Sequence, residues 1–198
     1  MIFGYILLLI SYLIGSIPFS VILGKYFRGI DIRKHGSGNP GGTNSLRFLG
    51  LKIGSLVILL DMFKGAFIII LIQLNAFGDI ELLHPLAYGF TASIGHSFSP
   101  FIKFKGGKAV GTTAGSYIAY NFYFTFLGLA VFLLVLKITK YVSVSSTSVA
   151  ILILITALVI KDYDMLFYGL LSTLLIVYRH QRNYKNIFNK IEPKVKWI

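Results

Sequence analysis

The chain has 198 residues and a formal net charge of +12, yet only 13% of its residues are charged while 56% are hydrophobic and 15% aromatic. A soluble domain of this length is usually about 45–50% apolar and about 25% charged; with a mean hydropathy of +0.77, the composition excludes an ordinary soluble domain and indicates an all-α, polytopic membrane helix bundle. Cysteine is absent, which excludes disulfides and thiolate metal sites, and the confinement of most cations to gaps between apolar runs favours lipid and phosphate over nucleic acid as partners.

Apolar runs lie at 3–23, 53–74, 84–102, 109–136, 142–160 and 165–178. No Lys or Arg precedes Lys25, so the first run reads as a retained span and not as a cleaved signal peptide. The first three runs meet the criterion of about 20 residues for a single span. The 109–136 run is long for one helix and is interrupted by Gly111, Gly115 and Asn121.

Positive charge decides how that run divides. Six Lys or Arg fall in 24–52, three in 103–108, two in 137–140 and six in 179–198, against none in 75–83. The positive-inside rule places the four basic segments in the cytoplasm. Two crossings are then needed between 108 and 137, as a pair of short helices hinged near Asn121. The expectation is a single domain, residues 1–198, of seven spans, with the N-terminus outside and the C-terminus cytoplasmic. Six spans with one long tilted helix is the alternative. Helices of about 14 residues reach only about 21 Å, less than the hydrocarbon core of about 30 Å, so the pair must thin the bilayer, be shielded by neighbours or enter as a re-entrant pair.

Three polar segments fall on the cytoplasmic side in this topology. The first is 33–47, Arg-Lys-His-Gly-Ser-Gly-Asn-Pro-Gly-Gly-Thr-Asn-Ser-Leu-Arg. Gly36, Gly38, Gly41 and Gly42 allow positive φ, where successive N–H groups can turn toward one anion. Ser37, Asn39, Thr43 and Asn44 add neutral hydrogen-bonding groups, and Arg33, Lys34 and Arg47 add charge. The composition reads as a phosphate cradle; a loop beside anionic headgroups needs the cations but not the glycines. The second is Lys103-Phe-Lys105-Gly106-Gly107-Lys108, ahead of a helix whose first N–H groups the paired glycines would expose to an anion. It lacks Walker A spacing, and a plain positive-inside anchor is the simpler reading when it is taken alone. Upstream, His96 stands in Gly95-His-Ser-Phe-Ser-Pro-Phe101. The third is Arg179-His180-Gln-Arg-Asn183, where His180 and Asn183 share a face of a continuing helix; a basic helix end with a snorkelling histidine is the rival reading.

Two further features are read structurally. Asp61 and Lys64, at i,i+3 inside the second run, are expected to pair with each other. Ser143, Ser145, Ser146 and Ser148 are expected to bond between packed helices. No metal-ligand spacing is visible, and no cofactor is expected.

The ordered set Ser37-Gly38-Asn39-Pro40-Gly41-Gly42-Thr43-Asn44…Arg47, Lys105-Gly106-Gly107-Lys108 and His180…Asn183 resembles the three signature motifs of the bacterial acyl-phosphate:glycerol-3-phosphate acyltransferases, the PlsY-type enzymes. Leu60-Asp61-Met62-Phe63-Lys64-Gly65, Gly95–Phe101 and Glu192-Pro193-Lys194 also look like that family, so the resemblance covers essentially the whole chain. Gly42 and Gly111 stand where alanine is usual, and Tyr184 where isoleucine is commoner; the two glycines are expected to loosen their loops without removing a functional group.

The resemblance implies acyl transfer from a fatty acyl phosphate to the 1-hydroxyl of sn-glycerol 3-phosphate. The products are lysophosphatidic acid and inorganic phosphate, the first step of phospholipid synthesis, made at the cytoplasmic face of a bacterial inner membrane. A functional monomer is compatible with this. Ser37, Arg47, His180 and Asn183 are the expected catalytic residues, with Gly38, Asn39, Gly41, Thr43, Asn44, His96, Lys105, Gly106, Gly107 and Lys108 binding substrate. Ser37, Arg47 and the lysines are assigned to the phosphate of the acyl donor, with Asn44 completing the cradle. His180 and Asn183, helped by Arg47, are assigned to glycerol 3-phosphate. Two bases remain open, His180 and a substrate phosphate, with preference for the phosphate and an orienting role for His180. The His-x-x-x-x-Asp signature of other acyltransferases is absent from all four histidines. An organic-phosphate transporter is the main non-enzyme alternative, although its site would be expected near the bilayer midplane with repeat symmetry. An enzyme using acyl-CoA is the nearest enzymatic one, and a purely structural membrane subunit leaves the ordered motifs unexplained.

Overall fold

A computed structural model describes residues 2–195, so residues 196–198 of the C-terminal basic segment lie outside the described residues. The described residues form helices and no strands. In chain order these are α1 (Ile2–Gly15), α2 (Phe19–Arg28), α3 (Gly42–Leu49), α4 (Leu51–Gln73), α5 (Pro85–Ser97), α6 (Val110–Tyr120), α7 (Tyr123–Thr139), α8 (Val142–Ile160), α9 (Tyr163–Arg179) and α10 (Gln181–Phe188), with short 3₁₀ turns at Ile32–Lys34 and Pro100–Ile102. Three stretches are long and apolar enough to cross a membrane by length and composition: Ile2–Arg28, Leu51–Gln73 and Val142–Ile160.

The helices follow the apolar runs, but proline shortens two of them. The first run breaks between α1 and α2, because Pro18 has no N–H to donate and its ring disfavours a helical residue before it. The 84–102 run, expected as one comfortable span, holds only the 13 residues of α5, or about 20 Å of helix. It ends because Pro100 forces Ser99 into extended backbone (φ −67°, ψ 124°). The break in the 109–136 run falls where the sequence places it. α6 stops at Tyr120, and the Asn121 carboxamide oxygen accepts from the Tyr123 N–H at 3.1 Å to start α7.

The chain separates into two compact units, Met1–Tyr120 and Asn121–Ile198. In the first, α4 packs on α1, α2, α3, α5 and α6, and α1 also packs on α5. Small residues set the helix separations, as they do where lipid on the outside removes the usual hydrophobic drive. A Cβ on Gly115 would overlap the Met62 backbone, and one on Gly65 would overlap the Thr112 carbonyl. The Ser116 hydroxyl donates across the same α4–α6 seam to the Gly65 carbonyl at 3.1 Å. At the α1–α5 seam, Tyr12 donates to the Phe98 carbonyl at 2.8 Å and Ser99 to the Ser16 carbonyl at 2.6 Å.

In the second unit α8 packs on α7 and α9, and α10 folds against the end of α9. The serines of α8 differ from expectation. Ser145, Ser146 and Ser148 donate to carbonyls four residues back in their own helix, at 2.8–3.1 Å, because a hydroxyl on a helix reaches its own i−4 carbonyl most easily. Ties between helices come instead from threonines: the Thr173 hydroxyl donates to the Ala150 carbonyl at 3.2 Å across α8 and α9, and a short hydrogen bond joins the hydroxyls of Thr147 and Tyr184, so the tyrosine that departs from the family pattern fastens α10 to α8.

Candidate active site

The first motif is built by Asn44. Its side chain is buried; Oδ1 accepts from the Ser37 N–H at 3.3 Å, and Nδ2 donates to the carbonyls of Ile32 (3.3 Å) and His35 (3.0 Å). The carboxamide expected to contact phosphate therefore holds the loop's own backbone, and Asn44 shapes the cradle. Of the four glycines, only Gly36 (φ 58°) and Gly38 (φ 71°) use positive φ. Gly41 is extended and caps α3, and Gly42 is already helical. A Cβ on Gly36 would strike the Phe48 ring, which is why no side chain fits there.

The N–H groups placed together in the first motif are those at the start of α3, not a ring within the loop. The N–H groups of its first turn have no carbonyl four residues earlier within the helix, and the dipole there favours negative charge. Thr43 and Arg47 are both exposed and lie one turn apart on α3. Ser37 is exposed, and its hydroxyl accepts from the Asn39 N–H at 3.4 Å. Arg47 makes no ion pair among the described residues.

Arg33, counted from sequence among the cradle's cations, is engaged elsewhere. Its Nε lies 2.9 Å from Asp31 Oδ1 and its Nη2 2.5 Å from Oδ2. This guanidinium holds the Asp31 carboxyl at about 2, below its ordinary 3.8, and the same pairing raises Arg33. Asp31 also caps the Ile32–Lys34 turn by accepting from the Arg33 N–H. Ile32 is fully buried against Val21, Leu49 and Ile102. One apolar cluster thus roots the entrances to the first and second motifs.

In the second motif the N–H groups of the paired glycines are taken up by the fold itself. The Gly106 N–H donates to the Ser97 carbonyl at 3.1 Å, and the Gly107 N–H to the His96 carbonyl at 3.0 Å. Both cover the open C-terminal end of α5, whose last carbonyls need donors. The glycines are required for close approach: a Cβ on Gly106 would overlap the His96 carbonyl, and one on Gly107 the His96 imidazole. Lys105 is exposed and Lys108 partly so. Lys103, Phe104 and Ala109 hold φ of 57°, 58° and 63°. Non-glycine residues adopt this region at a cost and do so mainly where the surroundings enforce it.

His96 is buried, with Nδ1 3.5 Å from Asp61 Oδ1. Asp61 Oδ1 also lies 2.8 Å from Lys64 Nζ, which donates to the Ile17 carbonyl at 3.1 Å and sits over the Phe19 ring. The expected Asp61–Lys64 pair is present, with His96 as a third member. Gly42 and Gly111 lie in helices and not in loose loops. The Ile58 side chain occupies the space a Cβ on Gly42 would take, and Asp61 Cβ lies 3.3 Å from a Cβ on Gly111.

The third motif belongs to the second unit. α9 does not continue through it: His180 sits between α9 and α10 with φ −100° and ψ 3°. Its ring is buried, and Nδ1 lies 2.8 Å from the Ile176 carbonyl. A carbonyl can only accept, so Nδ1 carries the proton and Nε2 is the acceptor nitrogen of the neutral ring. Asn183 Nδ2 donates to Glu192 Oε1 at 2.6 Å, and Asn186 Nδ2 to Glu192 Oε2 at 3.1 Å. Sequence reasoning gave Glu192 no link to Asn183; it appeared only as a family-like tail, and its nine-residue separation from Asn183 across a helix end gives no periodic signal.

The family model described as glycerol-3-phosphate acyltransferase matches residues 5–190. Glycerol-3-phosphate acyltransferases of Bacillus velezensis and Bacillus subtilis are 46% and 45% identical to the chain, each alignment covering 98% of both proteins. The corresponding protein of Staphylococcus aureus (strain Newman) is 42% identical over 98% of both. The crystal structure of PlsY (YgiH), an integral membrane glycerol 3-phosphate acyltransferase, in its glycerol 3-phosphate form superposes with a TM-score of 0.85 at 32% identity, covering 98% of this chain and 96% of that one. Its lysophosphatidic acid form gives 0.84 at 31%, covering 98% and 95%. Matched over nearly its whole length by sequence and by helical architecture, the chain belongs to the PlsY-type glycerol-3-phosphate acyltransferase family of integral membrane enzymes.

Proposed function

We propose that the chain transfers the acyl group of a fatty acyl phosphate to the 1-hydroxyl of sn-glycerol 3-phosphate, the first step of phospholipid synthesis. Residues 1–198 act as one acyltransferase domain of seven spans in a bacterial inner membrane, with the motifs on the cytoplasmic side. The observation that most supports this reading is the near full-length likeness to PlsY in its glycerol 3-phosphate form, joined to an exposed Arg47 one turn beyond Thr43 on α3.

The hydroxyl oxygen attacks the acyl carbonyl carbon, an ester C–O bond forms, and the bond from that carbon to the phosphate oxygen breaks. Inorganic phosphate leaves, and the hydroxyl proton passes to a phosphate oxygen, whose second pKa is close to 6 by analogy with phosphoserine. Because the donor is a mixed anhydride with a good leaving group, the protein supplies mainly position and charge. Arg47, Ser37, Lys105 and Lys108 receive the donor phosphate as charge builds on it. His180 and Asn183 are assigned to glycerol 3-phosphate, His180 orienting the hydroxyl through Nε2 and Asn183 held in place by Glu192.

The test is turnover by purified protein with palmitoyl phosphate against palmitoyl-CoA as donor, for wild type and for Ser37→Ala and Arg47→Ala. The reading expects acyl phosphate alone to serve, and a fall of about 10²–10³ in each variant, the usual cost of removing a donor aimed at developing charge. Equal use of acyl-CoA, or variants within threefold of wild type, would overturn it. If His180→Gln keeps near-normal turnover, histidine as general base is excluded while the phosphate route stands.

A further inference from the structure

The buried trio Asp61, Lys64 and His96 is left unused by the chemistry above, yet it lies directly beneath the second motif. Ionisable groups inside a membrane-spanning helix are expensive and are retained only with partners or a function. Pairing accounts for Lys64, which has both Asp61 and the Ile17 carbonyl. It does not account for the third member, since a neutral imidazole on an apolar helix end would need no carboxylate.

The surroundings of His96 supply a reason. Its carbonyl accepts the Gly107 N–H, and its ring fills the space where Gly107 would carry a Cβ. The ring is therefore the floor on which Gly106–Gly107 lies, and the Lys105 and Lys108 side chains leave from the two ends of that pair. Rotation of the imidazole about χ1 or χ2 would remove the floor and let the lysines wander by more than the fraction of an ångström that phosphate binding tolerates. Asp61 Oδ1, 3.5 Å from Nδ1, fixes that rotation, and Lys64 fixes Asp61 in turn. The chain of contacts runs from the middle of α4, through the end of α5, to the cationic loop.

We propose that Asp61 is a positioning residue that acts through His96 to hold Gly106–Gly107, and with them Lys105 and Lys108, in the arrangement that binds a substrate phosphate. His96 then serves as support for the loop and not as a direct phosphate ligand. The inference rests on the acyltransferase reading and specifies how its second anion site is kept in register.

The test compares two double variants of the full-length protein. Asp61→Asn/Lys64→Met removes both buried charges together, which avoids leaving either unpaired, and it keeps an oxygen that can accept from His96 Nδ1. Asp61→Leu/Lys64→Met removes the same charges but offers no acceptor. Both are purified in detergent, checked for equal thermal stability, and assayed for KM toward palmitoyl phosphate and toward glycerol 3-phosphate, and for kcat.

The expected result is that the asparagine variant stays within threefold of wild type in all three constants. The leucine variant should raise KM for one phosphate substrate at least tenfold, with kcat changed less than threefold. Equal KM values in the two variants, or a fall in kcat with both KM values intact, would overturn the positioning role. Should the leucine variant fail to fold, His96→Leu on the wild-type Asp61–Lys64 pair takes its place, with the same KM criterion. Absence of wild-type turnover would count against the acyltransferase reading itself, and is recognised before any variant is compared.

Discussion

Replacing Asn44 by alanine is the most informative single perturbation of the first motif. It deletes three hydrogen bonds, from the Ser37 N–H and to the Ile32 and His35 carbonyls. At about 1 kcal/mol net for each, the loss is about 3 kcal/mol, or roughly a hundredfold in the equilibrium between ordered and open loop. α3 and the packing of Leu49 against Val21 and Ile32 are untouched, so the loss falls on the loop and not on the global fold. Two assays read it. Tryptic cleavage beside Lys34, which tracks the open population when closing is fast, should accelerate by up to about a hundredfold, and kcat/KM should fall in proportion to the ordered population that is lost. Ser37→Ala, in contrast, should impair turnover with little effect on cleavage, since the bond to Asn44 is made by its backbone N–H and the contact of its hydroxyl with the Asn39 N–H is long, at 3.4 Å. A variant Asn44→Ala with unchanged cleavage but severely reduced turnover would refute the reasoning, because it would make Asn44 a direct ligand of substrate.

Three further outcomes are expected. Gly115→Ala should lower the thermal unfolding temperature of detergent-solubilised protein, since its Cβ overlaps the Met62 backbone and such overpacking costs about 1–3 kcal/mol; an unchanged temperature would show that the α4–α6 seam relaxes freely. Glu192→Leu should raise KM for glycerol 3-phosphate at least tenfold by releasing Asn183 and Asn186, with Glu192→Gln intermediate because one acceptor oxygen remains. Asp31 is held at about 2 against its ordinary 3.8. A lowered folded pKa means its stabilising contribution is complete above about pH 4 and fades as pH falls toward 2. The difference in unfolding temperature between wild type and Asp31→Asn should therefore be level from pH 8 to 5 and shrink below 4.

What the sequence made legible was local. Asn121 broke the long run because polarity and glycine spacing weaken a helix over a few residues, and Asp61 met Lys64 because i,i+3 spacing puts them side by side. The proline at position 18 was equally visible, but the apolar run around it hid the break between α1 and α2. The misreadings share one cause: they concern where a polar group's partner lies, and that partner is set by the tertiary fold. The paired glycines of the second motif looked like an opening onto the next helix, whereas their own N–H groups close the end of α5. The Asn44 amide looked like a ligand, whereas three backbone groups of the preceding loop take it. Arg33 looked like a cradle cation, whereas Asp31 two residues earlier neutralises it. Which motif residues hold the loops became legible only in the structure, because their partners are set by the fold.

The identity of the acyl donor is the point on which the functional reading turns. The most direct measurement is release of inorganic phosphate from palmitoyl phosphate by the purified, detergent-solubilised protein, with and without glycerol 3-phosphate. The predicted result is release that depends on glycerol 3-phosphate and matches the lysophosphatidic acid formed, mole for mole. Folded protein that releases no phosphate from this donor, yet acylates glycerol 3-phosphate from acyl-CoA, would contradict it.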